Sequence, residues 1–254
     1  MKSALILGGT QFFGKKLVNI LLDNGVDVTI ATRGLTPDPF ENKVSRLIIE
    51  RENKESIKAA FEGKQWDVVF DQTCYAPLEA LYTKQALEGK VKRYIFTSSQ
   101  AVYEYGINHS EHDFEPYTYP IVLKGRKEYK GYDGYQEAKR ASEAVLFQNS
   151  ICPTVAVRFT IVVGEDDYSN RLKFHVDHVT NEETMGIANL DNHNAFITSS
   201  DAAKFLYEVA KSDFIGPINP GPQGDISMKD LLSLIESIVG KRAIVTDPCN
   251  VEPS

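Results

Sequence analysis

Short apolar runs alternate with helix-spaced apolar positions through the first 160 residues. Ala4–Leu7, Val26–Ala31, Arg46–Ile49, Asp67–Phe70, Arg93–Phe96 and Thr154–Phe159 read as strands. Between them, Phe12–Leu22, Lys54–Phe61, Pro77–Glu88 and Gln136–Gln148 space their apolar residues as amphipathic helices do. Short strands separated by helices need crossover connections, so the pattern predicts a parallel, doubly wound α/β sheet. After Val163 the rhythm loosens. Helices are predicted over Leu172–Val179, Ser200–Ala210 and Ser227–Ile238, the last opened by Ser227 and stopped by Gly240. The turn-rich stretch Gly216–Gly224 is expected to be loop. The chain therefore divides into a sheet domain, 1–160, and a smaller substrate lobe, 161–254, partly interleaved with the first and expected over the sheet's carboxyl edge. The ending, Asp247–Ser254, reads as ragged, the expectation being a chain that continues.

Composition narrows the function classes. The 254 residues are 42% hydrophobic, enough for a sizeable core, and carry a formal charge of −7. A mildly acidic surface offers no general attraction for nucleic acid or anionic membrane. The first apolar run is broken too early for a signal peptide, and no window approaches a membrane span. Three widely spaced cysteines, Cys74, Cys152 and Cys249, form no C-x-x-C pair. Reduced thiols and a cytoplasmic location are expected.

Three features carry chemistry. The first is Gly8-Gly9-Thr10-Gln11-Phe12-Phe13-Gly14, placed between the first strand and the first helix. Glycine lets the backbone turn sharply and approach a pyrophosphate, which the helix then meets with free N–H groups and its positive end. The second is the close of strand two, where Thr32 and Arg33 stand in place of a carboxylate. A carboxylate would favour NAD by bonding the ribose hydroxyls. A guanidinium pairs with a 2′-phosphate, so NADP is expected ahead of NAD. The third is Tyr135-Gln-Glu-Ala-Lys139, preceded by Thr97-Ser98-Ser99 just past the fifth strand. Positions i and i+4 share one helical face, so phenol and ammonium point the same way. A fixed cation one turn away is what a phenol needs to act as a general base. A serine at that strand's carboxyl end can hydrogen-bond the oxygen that the tyrosine serves.

With these features in this order, the chain resembles the short-chain dehydrogenase/reductase superfamily, and within it the extended or atypical NAD-dependent epimerase/dehydratase family. The resemblance runs from Ala4 to about Gly240 and takes in Arg158–Gly164 and Phe196–Ala203. It implies a Rossmann fold and a dehydrogenase or epimerase acting on a small, hydroxylated, nucleotide-sugar-like substrate. It also implies roles: Tyr135 as acid/base, Lys139 on the nicotinamide ribose, Ser99 orienting substrate. Gly8, Gly9, Thr10, Gln11, Phe12, Phe13 and Gly14 would wrap the pyrophosphate, and Glu50 and Arg51 would border the adenine. Two departures matter. Gln11 stands where the family has its middle glycine, and Gln100 and Ala101 replace the acidic pair of the dehydratases, which excludes sugar dehydration by that route. The Gly-Gly-Thr-x-Phe-Phe-Gly version also resembles a subgroup that includes chloroplast stem-loop RNA-binding proteins, so RNA is the alternative partner. Monomer and homodimer are both compatible with the resemblance.

Lys124, Arg126, Lys127 and Lys130 crowd a seven-residue segment followed by Tyr132 and Tyr135. An RNA-binding protein would use it as a basic, aromatic patch, whereas an enzyme would carry it as a solvated loop or present one cation to a substrate phosphate. His175 and His178 share a helical face, but no third ligand follows at metal spacing, and no metal is expected. Cys74 and Trp66 are expected to be packing residues.

Overall fold

The computed structural model describes residues 1–221 and 224–250. In chain order the first elements are β1 (Ser3–Leu7), α1 (Phe12–Asp23), β2 (Asp27–Thr32), β3 (Ser45–Ile48), α2 (Lys54–Ala60), β4 (Trp66–Asp71), α3 (Pro77–Leu87), β5 (Val91–Ser99), α4 (Gly131–Phe147) and β6 (Thr154–Phe159). There follow β7 (Ile161–Val163), α5 (Arg171–Asn181), β8 (Thr184–Gly186), β9 (His193–Asn194), β10 (Phe196–Thr198), α6 (Ser199–Lys211), β11 (Gly216–Ile218), β12 (Ile226–Ser227), α7 (Met228–Val239) and β13 (Ile244–Thr246).

The first unit comprises residues 1–160 and 200–220. Its seven strands form one sheet in the order β11-β6-β5-β4-β1-β2-β3. Every pairing in it is parallel, which sets all the strand carboxyl ends along one edge. Strand order reverses between β1 and β4, and the loops leaving those two strands open the crevice where such sheets receive ligands. The inner strands are buried along their length, with Leu5, Leu7, Val69, Phe96 and Ala156 in one apolar cluster that also takes in Ile57, Phe61 and Ala80. Trp66 belongs to it, edge-on to Phe61 at 5.4 Å and donating its indole N–H to Thr29 at 3.1 Å.

Two expectations need correction. The stretch from Gly216 is not all loop: Gly216–Ile218 pairs in register with Val155–Val157 as the seventh strand. Proline is tolerated there because β11 is an edge strand with one side free of ladder bonds. Residues 200–220 thus return to the sheet unit. Helix α4 begins five residues before its predicted start, because Gly131 and Gly134, poor helix formers, hide its first turn. Tyr135 therefore lies inside the helix. The loop expectation at 222–223 and the ragged ending at 251–254 lie outside the described residues.

Among the described residues, the second unit, 161–199 with 221 and 224–250, holds three two-stranded sheets, β10-β7, β12-β9 and β13-β8, beside α5 and α7. Its core is Val179, Met185, Leu231, Leu232 and Ile235. Ser227 caps α7 by accepting the Asp230 N–H at 3.0 Å, and Gly240 ends it in a left-handed conformation.

Candidate active site

The glycine turn follows β1. Gly8 has φ +111°, and a Cβ there would stand 2.8 Å from Thr73 Cγ2, so only glycine fits. At Gly14 a Cβ would come within 2.5 Å of Gln72 Oε1 and 3.2 Å of the Gly9 Cα. The turn is a backbone cradle that side chains would fill. Gln11 is extended, with φ −138° and ψ 160°, and its side chain is exposed. A conformation open to any residue explains why the middle glycine is dispensable here. Gln11 provides no side-chain cap for α1, and no acidic residue occupies the first turn, so the helix start is left to an incoming anion. Phe12 is buried, while Thr10 and Phe13 are half-buried. Cradle and uncapped helix together fit a dinucleotide's pyrophosphate.

At the end of β2, Thr32 accepts the Gly34 N–H at 3.0 Å, and Arg33 is exposed. Beyond β3, Glu50 is exposed but Arg51 is not. Its guanidinium makes two bonds to Asp71, at 2.7 and 2.8 Å, and a third to Thr73 at 3.1 Å. Tyr94 donates its hydroxyl to the same carboxylate. Burial opposes the charge on Arg51, but the field and hydrogen bonds of Asp71 raise its pKa well above the ordinary arginine value. Arg51 is spent inside the fold, tying the end of β3 to that of β4.

Helix α4 carries Tyr135 and Lys139 on one face. Lys139 is 2% exposed, and its ammonium donates to the carbonyls of Cys74 at 2.8 Å and Thr97 at 3.0 Å. Those carbonyls follow β4 and lie within β5, so the lysine is fixed by two strand ends at once. It stands 4.9 Å from the centres of the Tyr75 and Phe96 rings and 5.9 Å from that of Tyr135. Two of its three protons are used by the carbonyls. Tyr135 is half-buried and lines a cavity of about 320 Å³ with Tyr75, Arg126, Tyr129, Gly131 and Ala138.

Ser99 ends β5. Its Oγ accepts the Ala101 N–H at 3.1 Å, capping the 3₁₀ turn Gln100–Val102 and leaving its own proton to donate. Two residues of α4 clamp that turn's exit: Gln136 donates to the Tyr103 carbonyl at 2.6 Å and Arg140 to that of Val102 at 2.7 Å. Gln136 and Arg140 each follow Tyr135 and Lys139 by one position, so the same helix that carries the phenol and ammonium is held against the serine turn.

Beneath this layer lies a network centred on the fully buried pair Arg158 and Glu143. Arg158 bonds Glu143 at 2.6 and 3.0 Å, Tyr103 Oη at 2.9 Å and the carbonyls of Glu111 and Phe114 at 2.8 and 3.0 Å. Ser98 donates to Glu143, and Tyr103 to Asn219 at 2.6 Å. The network joins β5, α4 and β6 behind Ser99. Reasoning from motifs missed it, as it missed Tyr75, Gln136 and Arg140. The acid at 143, one turn past Lys139, was the available signal.

Cys74 is buried, and burial pushes its thiol up to about 12, so it is a packing residue whose carbonyl does the positioning. No group of three or more His, Cys, Asp or Glu among the described residues could hold a metal. No helix among them is long and apolar enough to cross a membrane.

No protein-family model matches the chain. Over 115 residues it is 32% identical to the chloroplast stem-loop binding protein of 41 kDa b of Arabidopsis thaliana, a match covering 40% of this chain and 30% of that protein. It thus spans well under two thirds of that relative. Among solved structures, the UDP-glucose 4-epimerase of Thermus thermophilus, in complex with NAD, superposes with TM-score 0.73 at 20% identity, over 99% of this chain and 89% of that one. An epimerase of Methanothermobacter thermautotrophicus gives 0.77 at 18%, over 97% and 79%. The UDP-N-acetylglucosamine 4-epimerase of Methanobrevibacter ruminantium, bound to UDP-N-acetylmuramic acid, gives 0.74 at 20%, over 99% and 87%. The chain has the fold of these epimerases.

Proposed function

We propose that the protein is a nicotinamide-dinucleotide-dependent oxidoreductase or epimerase acting on a hydroxyl-bearing carbon of a small, nucleotide-sugar-like substrate. One observation carries the reading: Tyr135 borders a cavity beside a buried ammonium whose two acceptors are backbone carbonyls. A lysine buried without a carboxylate partner is costly, and a site that uses its charge accounts for it. The epimerase structures above lend the substrate class.

The nicotinamide, when bound, supplies hydride acceptance and return at its C4. The chain's residues manage the proton. The Tyr135 oxygen removes the substrate's hydroxyl proton as the carbinol carbon is oxidised, and returns it on reduction. Ser99 donates its hydroxyl proton to that same substrate oxygen. Lys139 holds a positive charge beside the phenol and keeps one N–H for a ribose hydroxyl. Gly8, Gly9 and Gly14, with the start of α1, take the pyrophosphate. An epimerase retains the keto intermediate until hydride returns to its other face, and a reductase releases it.

For the adenosine end we propose Arg33 as the side chain that meets a 2′-phosphate, since it is exposed where Arg51 is locked to Asp71. Titration calorimetry with NADP, NAD and UDP-glucose tests the whole reading. Binding of a dinucleotide, with NADP tighter than NAD and the order lost in Arg33→Ala, is expected. Absence of any dinucleotide binding overturns the function, and tighter NAD overturns the role of Arg33.

A second reading, an RNA-binding protein on this scaffold, is favoured by the stem-loop binding relative. It would use the exposed Lys124, Lys127 and Lys130 of the basic segment at 124–130, beside an Arg126 that also bonds Glu79 and Thr73. Gel-shift affinity for a stem-loop RNA that is lost when Lys124, Arg126 and Lys127 are neutralised together supports it over the enzyme.

A further inference from the structure

The proton chemistry above assigns no step to residues 124–130, although Arg126 and Tyr129 line the Tyr135 cavity, and this segment is tied both past β3 and past β4. Arg126 opens a 3₁₀ turn, Arg126–Glu128. Its backbone N–H donates to the Glu52 carboxylate, just past β3, at 2.6 Å. Its side chain reaches the other way. Nε and Nη2 meet the Glu79 carboxylate in α3, at 2.9 and 2.8 Å, and Nη2 also donates to the Thr73 carbonyl after β4 at 2.9 Å. The guanidinium lies 4.8 Å from the centre of the Tyr75 ring.

Strands β1 and β2 stand between β3 and β4 in the sheet. The two anchor strands are therefore three strand spacings apart, about 14 Å. The Glu52 side chain and Arg126 together link the chain past β3 to the chain past β4, with β1 and its glycine turn belonging to a strand between them in the sheet. Thr73, which receives the guanidinium, is the residue whose Cγ2 excludes a side chain at Gly8. The attachment is specific in shape. A Cβ at Gly125 would stand 2.5 Å from Glu52 Oε1, so a side chain there would push that carboxylate off the Arg126 N–H. It is also strong at one end, because Glu79 is 1% exposed and gives its other oxygen to the Tyr75 N–H at 2.8 Å.

We propose that residues 124–130 are a strap that closes over the bound dinucleotide and slows its release, with Arg126 as the anion-directed residue on its inner side. The proposal rests on the dinucleotide reading above and adds a retention device to it. The bonds just described engage Nε and Nη2 of Arg126 and leave Nη1 uncommitted among the described residues. Lys124, Lys127 and Lys130 are exposed beside it, so the strap presents a local positive field to a ligand that carries at least two phosphate charges. Retention has a chemical purpose where hydride leaves a substrate and comes back to it, because a reduced cofactor that escapes between the two transfers ends the cycle.

The test is release of reduced dinucleotide from the full chain, followed by loss of its fluorescence on chasing with excess oxidised dinucleotide. Arg126→Gln and, separately, Glu52→Gln are compared with the unaltered protein. Release is expected to accelerate about tenfold or more in Arg126→Gln and to a smaller extent in Glu52→Gln. Glu52 is exposed, so its variant keeps the test valid should Arg126→Gln fold poorly. Release within twofold of the unaltered protein in the folded variants overturns the strap while leaving the dinucleotide site standing. An unaltered protein that binds no reduced dinucleotide overturns both.

Discussion

The Lys139 ammonium stands 5.9 Å from the centre of the Tyr135 ring, one helical turn away, and is held there by the carbonyls of Cys74 and Thr97. The cation is fixed by the backbone of two strands, so its position does not depend on a ligand. Removing the phenol should then affect the proton step alone. Tyr135→Phe is expected to lower turnover by about 10²–10⁴-fold while dinucleotide affinity, measured by calorimetry, stays near that of the unaltered protein. Lys139→Met should reduce both. Equal turnover in Tyr135→Phe would remove Tyr135 as the acid/base.

The pair Glu143–Arg158 is wholly buried, and either partner alone would leave an uncompensated charge. Burial disfavours the guanidinium, but bonding to Glu143 outweighs it and raises the Arg158 pKa above its usual value. Glu143→Ala is expected to cost about 3–5 kcal/mol in urea unfolding, whereas replacing both members by apolar residues of similar volume should restore much of that. A loss below about 1 kcal/mol in the single variant would show that the network contributes little.

Thiol reactivity follows burial. Cys74 is pushed up to about 12 and Cys152 to about 11, both chiefly by desolvation, whereas Cys249 is exposed. Iodoacetamide at pH 8 should therefore label Cys249 in the folded protein and all three cysteines after denaturation, read by mass spectrometry. Rapid native labelling of Cys74 would contradict its buried setting.

Asp67 holds the amino-terminal strand. It accepts the Lys2 N–H at 2.6 Å and binds the Lys92 ammonium at 2.7 Å, and those bonds, that of Lys92 foremost, bring its pKa down from 3.8 to about 2. A depressed carboxylate pKa contributes stability that is present above the unfolded value and lost as pH falls through the folded one. Asp67→Asn should thus be less stable than the unaltered protein at neutral pH. The gap should close between about pH 4 and pH 2. A gap that persists unchanged at pH 2 would place the effect elsewhere.

Six strands and seven helices were legible in the sequence because each is a local pattern: apolar runs for buried parallel strands, helical spacing for the covering layers. Strand β11 was not, since Gly216 and Pro217 look like punctuation until an edge position removes proline's penalty. The start of α4 was hidden for a similar reason.

Local pattern is enough for the parallel sheet, the glycine turn after β1 and the spacing that puts Tyr135 and Lys139 on one helical face. Those properties depend on residues within a few positions of one another. It took the folded chain to show that Arg51 turns inward to Asp71, that Glu143 answers Arg158 and that Arg126 bonds both Glu52 and Glu79. Such pairs join residues 15 to 74 positions apart. Whether a charge faces solvent or a buried partner is set by which strand ends the fold brings together, and no local pattern carries that information.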